Sequence, residues 1–185
     1  MKYIISVLCL DRPGIVFCMS SAVAKQGGNI DDMRQDVIQG YFTGVMAVTF
    51  DQECDIEKLK ENMNIVGEGE VSVIPYKEND FAFETQEKYV LTVSCKEQKG
   101  IVARITSYLY DNKINIDSIS AFAEGEKFVI VTELSVPGSK AALKIKKDIK
   151  EIGKGWDLSV HLSHENIYLA TNTVCPTVRI GKKLS

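Results

Sequence analysis

An α+β fold is predicted, with two copies of one βαββαβ module in tandem. Three observations predict it. The chain matches itself at an offset of 86 residues, each copy opens on a strand-period segment followed by a helix-period one, and each then carries two apolar runs around a glycine. The self-match runs without a gap over positions 2–31. Its identities are Lys2/Lys88, Tyr3/Tyr89, Val7/Val93, Cys9/Cys95, Gly14/Gly100, Ile15/Ile101, Val16/Val102, Ser21/Ser107, Asn29/Asn115, Ile30/Ile116 and Asp31/Asp117. Eleven identities stand against about two expected by chance, so the copies descend from a duplication. Two copies are too few for a solenoid, so each is a small domain with its own core.

The elements follow in order. Tyr3, Ile5, Val7 and Cys9, like Tyr89, Leu91, Val93 and Cys95, alternate on one face, which is the period of a half-buried first strand. Ile15, Met19, Ala22 and Val23 then recur at helical spacing, as do Ile101, Ile105, Tyr108 and Leu109, and Gly27-Gly28 stops the first of these helices. Residues 30–38 and 41–50 flank Gly40, and residues 116–123 and 127–134 flank Gly125, so each pair reads as a hairpin. A second helix is marked by Ile56, Leu59 and Met63, and in the other copy by Ala142, Ile145, Ile149 and Ile152. Strands over 71–76 and 158–162 close the copies. Right-handed crossovers put both helices on one face of an antiparallel sheet, the ferredoxin-like arrangement. The expected division is a first module over 1–78, a linker over 79–87 in which Phe81 and Phe83 are apolar enough to dock, a second module over 88–164, and a tail over 165–185. The tail carries strand-like apolar residues (Ile167, Leu169, Val174, Val178, Ile180), a break at Pro176 and a basic end.

Composition narrows the function. The chain has 185 residues, 45% of them hydrophobic, enough for packed cores. Its 25 acidic and 22 basic residues leave a net charge of -3, without a basic block able to neutralise a run of phosphates, so no direct nucleic-acid binding is expected. The charge run over 140–150 reads as the solvated face of a helix. The apolar run over 1–10 is short and meets Asp11-Arg12, unlike a signal peptide or a membrane span. Five cysteines without a C-x-x-C pair fit reduced thiols and a cytoplasmic location.

Chemical information concentrates where strand one turns into helix one: Asp11-Arg12-Pro13-Gly14-Ile15. Proline fixes the turn, glycine permits close approach of a ligand to backbone, and the helix N-terminus presents unpaired N–H groups and positive potential suited to a carboxylate. Asn29, beside Ile30 at the start of strand two, offers a donor and acceptors that suit an amino acid. The same residues also fit a bare turn and a loop cap.

Asp11-Arg12-Pro13-Gly14-Ile15-Val16 followed by Gly28-Asn29-Ile30 resembles the signature of the ACT domain family, small ligand-sensing modules that control amino-acid metabolism. The second copy carries Glu97-Gln98-Lys99-Gly100-Ile101-Val102 and Asn115-Ile116, a weaker match without the Arg-Pro pair. The resemblance covers residues 1–163, and a tandem pair of this length is similar to the glycine cleavage system repressor group. It implies amino-acid effectors bound beside the first turn and the start of strand two, usually where modules meet. On this sequence the implied binding residues are Asp11, Arg12, Pro13, Gly14, Ile15, Asn29 and Ile30, with a weaker second site at Glu97, Gln98, Gly100, Ile101, Asn115 and Ile116.

No catalytic residue, metal or cofactor is expected. His161 and His164 form an H-x-x-H pair at a strand end without a third ligand, no nucleophile elbow or phosphate loop is present, and Cys9 and Cys95 fall on an apolar face. The expected function is an amino-acid-responsive regulator of amino-acid or one-carbon/glycine metabolism that acts through protein partners as a transcriptional co-regulator. The alternative is a separate regulatory subunit of a biosynthetic enzyme. The first strand also carries Ile4, Ser6, Leu8 and Leu10 on its other face, where the second copy has Val90, Thr92, Ser94 and Lys96, so a homodimer or tight stacking through that face is expected.

Overall fold

The computed structural model describes residues 1–63, 69–78, 86–97, 99–138 and 142–171, with side chains through Tyr168. The chain divides into two compact units, residues 1–80 and 81–185. The first unit runs β1 (Lys2–Leu10), α1 (Ile15–Lys25), β2 (Gly28–Ile38), β3 (Tyr41–Phe50), α2 (Ile56–Met63) and β4 (Gly69–Pro75). The second runs β5 (Gln86–Lys96), α3 (Ile101–Asp111), β6 (Asn115–Glu124), β7 (Lys127–Pro137), α4 (Ala142–Ile152), β8 (Ser159–His164) and a further helix, α5 (Glu165–Thr171). The strand orders are β2-β3-β1-β4 and β6-β7-β5-β8, with every neighbouring pair antiparallel. Both units are therefore the expected ferredoxin-like modules.

Each core lies between one sheet face and its two helices. In the first module Tyr3, Ile5, Val7 and Cys9 of β1 meet Ile15, Met19, Ala22 and Val23 of α1 and Leu59 and Met63 of α2. Leu91, Val93 and Cys95 of β5 do the same with Ile101, Ile105 and Leu109 of α3 and Ile145 and Ile149 of α4. Tyr3 sets its ring edge-on to Phe50, centroids 5.9 Å apart. Gly28 is required by that packing, since a Cβ there would lie 2.5 Å from Phe50 and 2.8 Å from Val23. The two helices of the first module are also tied at their ends. Gln26, following α1, accepts from the Asp55 amide at 3.1 Å and donates to the Asp55 carbonyl, while the Asp55 carboxylate caps the Lys58 amide.

The other face of the first sheet is open. Leu8, Leu10, Ile38, Tyr41, Val45 and Ile74 are each between 45 and 60% exposed there. Their register places Leu10, Tyr41 and Ile38 in one row at the end of the sheet where β1 leads to α1.

The start of the tail, which its sequence leaves unplaced, is helical. Ile167 lies in helix α5, which starts directly after β8 with Glu165 in its first turn. The His164 ring nitrogen accepts the Asn166 amide at 3.3 Å and so caps the helix, a local interaction that outweighs the i, i+2 apolar spacing. Phe81, Phe83 and positions 172–185 lie outside the described residues.

Candidate functional site

The first half of the predicted site is the turn between β1 and α1. Asp11, Arg12 and Pro13 are exposed, and the Asp11 amide donates to the Gly40 carbonyl at 2.8 Å, which fastens the turn to the hairpin. Gly14 takes φ +92° directly before the helix, a conformation that side chains resist, and no side chain caps the helix. The first amides of α1 have no partner four residues back, so this end carries positive potential toward solvent. Ile15 is buried in the core and Ile30 packs against it, so these two side chains anchor the site and only their backbone can face a ligand.

The second module repeats the turn. Gly100 has φ +86°, again without a side-chain cap, and Ile101 is buried while Ile116 packs on the core. A hollow of about 520 Å³ opens here, lined by Glu97, Lys99, Gly100, Ile101, Val102, Ala103 and Phe128. Lys99 stands where the first copy has Pro13 and adds a cation to the helix end. Gln98 lies outside the described residues.

The other half of the predicted site sits in a cluster that sequence reasoning did not assemble. Asn29 Nδ2 donates to Asp31 Oδ1 at 3.3 Å, Thr49 Oγ1 donates to Asp31 Oδ2 at 2.7 Å, and Lys2 Nζ lies 3.2 Å from that oxygen. The second module repeats all of this. Asn115 donates to Asp117 Oδ1 at 2.8 Å, Ser135 to Asp117 Oδ2 at 2.6 Å, and Lys88 to the same oxygen at 2.8 Å. Asp31 and Asp117 are the extra residues of β-bulges, where the strand register shifts between Ile30 and Asp32 and between Ile116 and Ser118. The hydroxyl of Thr49, then Lys2, hold the Asp31 carboxyl below its ordinary value. For Asp117, desolvation works upward, and the bonds from Lys88, Ser135 and Asn115 outweigh it to leave the carboxyl lowered as well. A signal for this cluster stood in the sequence: Lys2/Lys88, Asn29/Asn115 and Asp31/Asp117 are repeat identities at polar positions.

The two halves are not brought together within one module. Asn29 pairs with Thr49, which pairs with Lys2, whereas Asp11 follows Leu10 at the far end of β1. Eight residues of strand separate these ends, about 27 Å at ~3.4 Å per residue.

His161 and His164 face opposite sides of the sheet, since they pair with Thr92 and Tyr89. His161 shares a 2.7 Å hydrogen bond with Ser163, and His164 meets the Tyr89 ring edge-on. Among the described residues no group of three or more His, Cys, Asp or Glu could hold a metal ion. Burial pushes the thiols of Cys9, Cys54 and Cys95 up, away from the thiolate that nucleophilic chemistry needs. Among the described residues no helix is long and apolar enough to cross a membrane.

Comparison with known proteins matches this architecture. Family models described as ACT domain match residues 2–67 and 89–153. A UPF0237 protein of Streptococcus mutans is 40% identical over 68 residues, 37% of this chain and 77% of that protein. One from Methanopyrus kandleri is 36% identical over 68 residues, 36% of this chain and 76% of that protein. Among solved structures, a protein of unknown function from Galdieria sulphuraria superposes with a TM-score of 0.75 at 18% identity, covering 88% of this chain and 97% of that one. A protein proposed to be a glycine cleavage system transcriptional repressor does so with a TM-score of 0.62 at 18% identity, covering 88% and 95%. At those identities the likeness concerns the fold. With both sequence modules matched, the chain belongs to the ACT domain family and carries two of these small-molecule-binding regulatory domains in tandem.

Proposed function

We propose that the chain is a non-catalytic, amino-acid-responsive regulator whose effector site is split between two copies of the protein. The carrying observation is the separation of the two half-sites. An uncapped helix end suited to a carboxylate and an Asn–Asp cluster suited to an ammonium lie at opposite ends of β1, too far apart for one amino acid to reach both. The polar cluster and the exposed Leu8, Leu10 and Ile74 belong to the same sheet face by register. Stacking two first modules on that face about a two-fold, with strands antiparallel, lays the turn end of one copy over the Asn29 end of the other and removes the apolar face from water. Effector binding then favours the dimer, and the dimer presents the surface read by a partner. In this reading the effector is an amino acid, the setting is the cytoplasm and the partner is a transcription factor of amino-acid or one-carbon/glycine metabolism. A biosynthetic enzyme is the second candidate partner, and pull-down from cell extract distinguishes them.

The test is a thermal-shift screen of the proteinogenic L-amino acids followed by sedimentation equilibrium with the best of them. The expected result is a dimer tightened by that amino acid, a monomer for Leu8→Lys, and affinity about ten-fold weaker in Asn29→Ala, as loss of a hydrogen bond to a charged group requires. Asn115→Ala is expected to matter less. A wild-type monomer with no stabilising amino acid, or an unchanged affinity in Asn29→Ala, overturns the proposal.

A further inference from the structure

The duplicated cluster defines which atom of Asn29 is on offer. An ionised carboxylate only accepts hydrogen bonds, so the group of Asn29 that faces Asp31 is its NH₂, and the carboxamide oxygen is turned the other way. Asp31 is kept in the accepting form by Thr49 and Lys2, and Asp117 by Ser135 and Lys88. Both asparagines are exposed, and among the described residues no hydrogen bond occupies either carboxamide oxygen. The arrangement recurs in both modules at an offset of 86, with a hydroxyl kept although Thr49 became Ser135. A fold requirement alone would be met by any strand pairing, and the bulge spends an unpaired residue to aim each aspartate.

We propose that Asp31 and Asp117 are positioning residues that lock the carboxamide oxygens of Asn29 and Asn115 outward, so that this half of the site selects an α-ammonium group. This rests on the amino-acid reading above. An oxygen-outward amide accepts hydrogen bonds and is strongest toward a cation, while the Lys2 and Lys88 ammonium groups are engaged by the aspartates. L-lactate and glycolate, which offer a neutral hydroxyl in place of the ammonium of alanine and glycine, are therefore bound more weakly even where the carboxylate half fits them.

The experiment uses the isotope-labelled full chain. The side-chain NH₂ resonances of Asn29 and Asn115 are followed by NMR during acidification, together with the carboxyl carbons of Asp31 and Asp117. The expected result is that each amide titrates with its own aspartate, that Asp31→Asn abolishes this for Asn29 while the backbone spectrum stays native, and that the best-binding amino acid loses about ten-fold in affinity in Asp31→Asn. L-lactate and glycolate are expected to bind the wild type about ten-fold more weakly than alanine and glycine. An amide that ignores its aspartate, an unchanged amino-acid affinity in Asp31→Asn, or hydroxy acids binding as tightly as amino acids overturns the assignment. If no amino acid binds the wild type, the proposed function falls and takes the ammonium preference with it. An uncoupled amide in a protein that does bind amino acids refutes the positioning role alone.

Discussion

Laid over one another at an offset of 86, the two modules agree and differ in separable ways. They share the polar cluster at the start of β2 and β6 and the left-handed glycine before α1 and α3. Inside the core they exchange volume. Gly28 faces Phe50 in the first copy, and the corresponding positions in the second are Ile114 and Val136, all buried apart from the side-chain-less glycine. On the outer face they diverge in polarity, with Leu8, Leu10, Ile38 and Tyr41 replaced by Ser94, Lys96, Glu124 and Lys127. The fold tolerates either outer face, so the apolar one answers to something outside the module. What both copies keep, the fold or the site requires.

The largest expected effect tests whether the two cores are equivalent. Leu59 and Ile145 occupy the same helix position and are 0% and 1% exposed. Leu59→Ala and Ile145→Ala are each expected to lower stability by about 2–5 kcal/mol in urea denaturation. A much smaller loss in one of them would mean that its module collapses around the cavity and that the cores are not alike.

The volume exchange gives a sharper test. Gly28→Ala is expected to cost about 1–3 kcal/mol through overpacking against Phe50. In the Phe50→Val background, which imitates the second copy, most of that cost should disappear, read as coupling in a double-mutant cycle. Additive effects would show that the two positions do not compensate.

The smallest effect concerns pH. The Asp117 carboxyl is lowered on folding, so its contribution to stability is present above the ordinary carboxylate range and is lost as pH falls through the lowered value. Asp117→Asn is expected to cost about 1 kcal/mol or less at neutral pH, given the exposed Lys88 partner, and to flatten the acid limb of the stability curve. An unchanged acid limb would remove the ion pair from the features that hold both copies together.

The sequence made most of this fold legible because the duplication supplied each element twice. The alternation of β1 and β5, the helical spacing around Met19 and Ile105, and the hairpin glycines all lie where periodicity placed them. Helix α5 was hidden because its decisive contact, His164 to the Asn166 amide, is a side-chain cap that apolar spacing does not encode. The candidate site was legible in composition and not in assembly. Gly14 and Asn29 stood out as residues able to bind an amino acid, but only strand register reveals that one module holds them at opposite ends. Lys2 and Thr49 went unnoticed as partners of Asp31, since contacts 18 and 29 residues apart leave no local pattern.

The bulge at Asp31 also resets the phase of the strand that carries it. Before it, Ile30 faces the core, and after it Met33 and Val37 do, an odd interval that strict alternation forbids. Removing Asp31 itself would leave Ile30 and Met33 two apart and on the same face, so the strand would become regular, Met33 and Val37 would keep the core, and the Asn29 amide would lose its carboxylate. Position 31 is therefore an addition to the ladder that the fold itself does not need, open both to substitution and to loss. In homologous chains a one-residue deletion here should accompany loss of the Asn–Asp pair, with the core residues on either side still apolar.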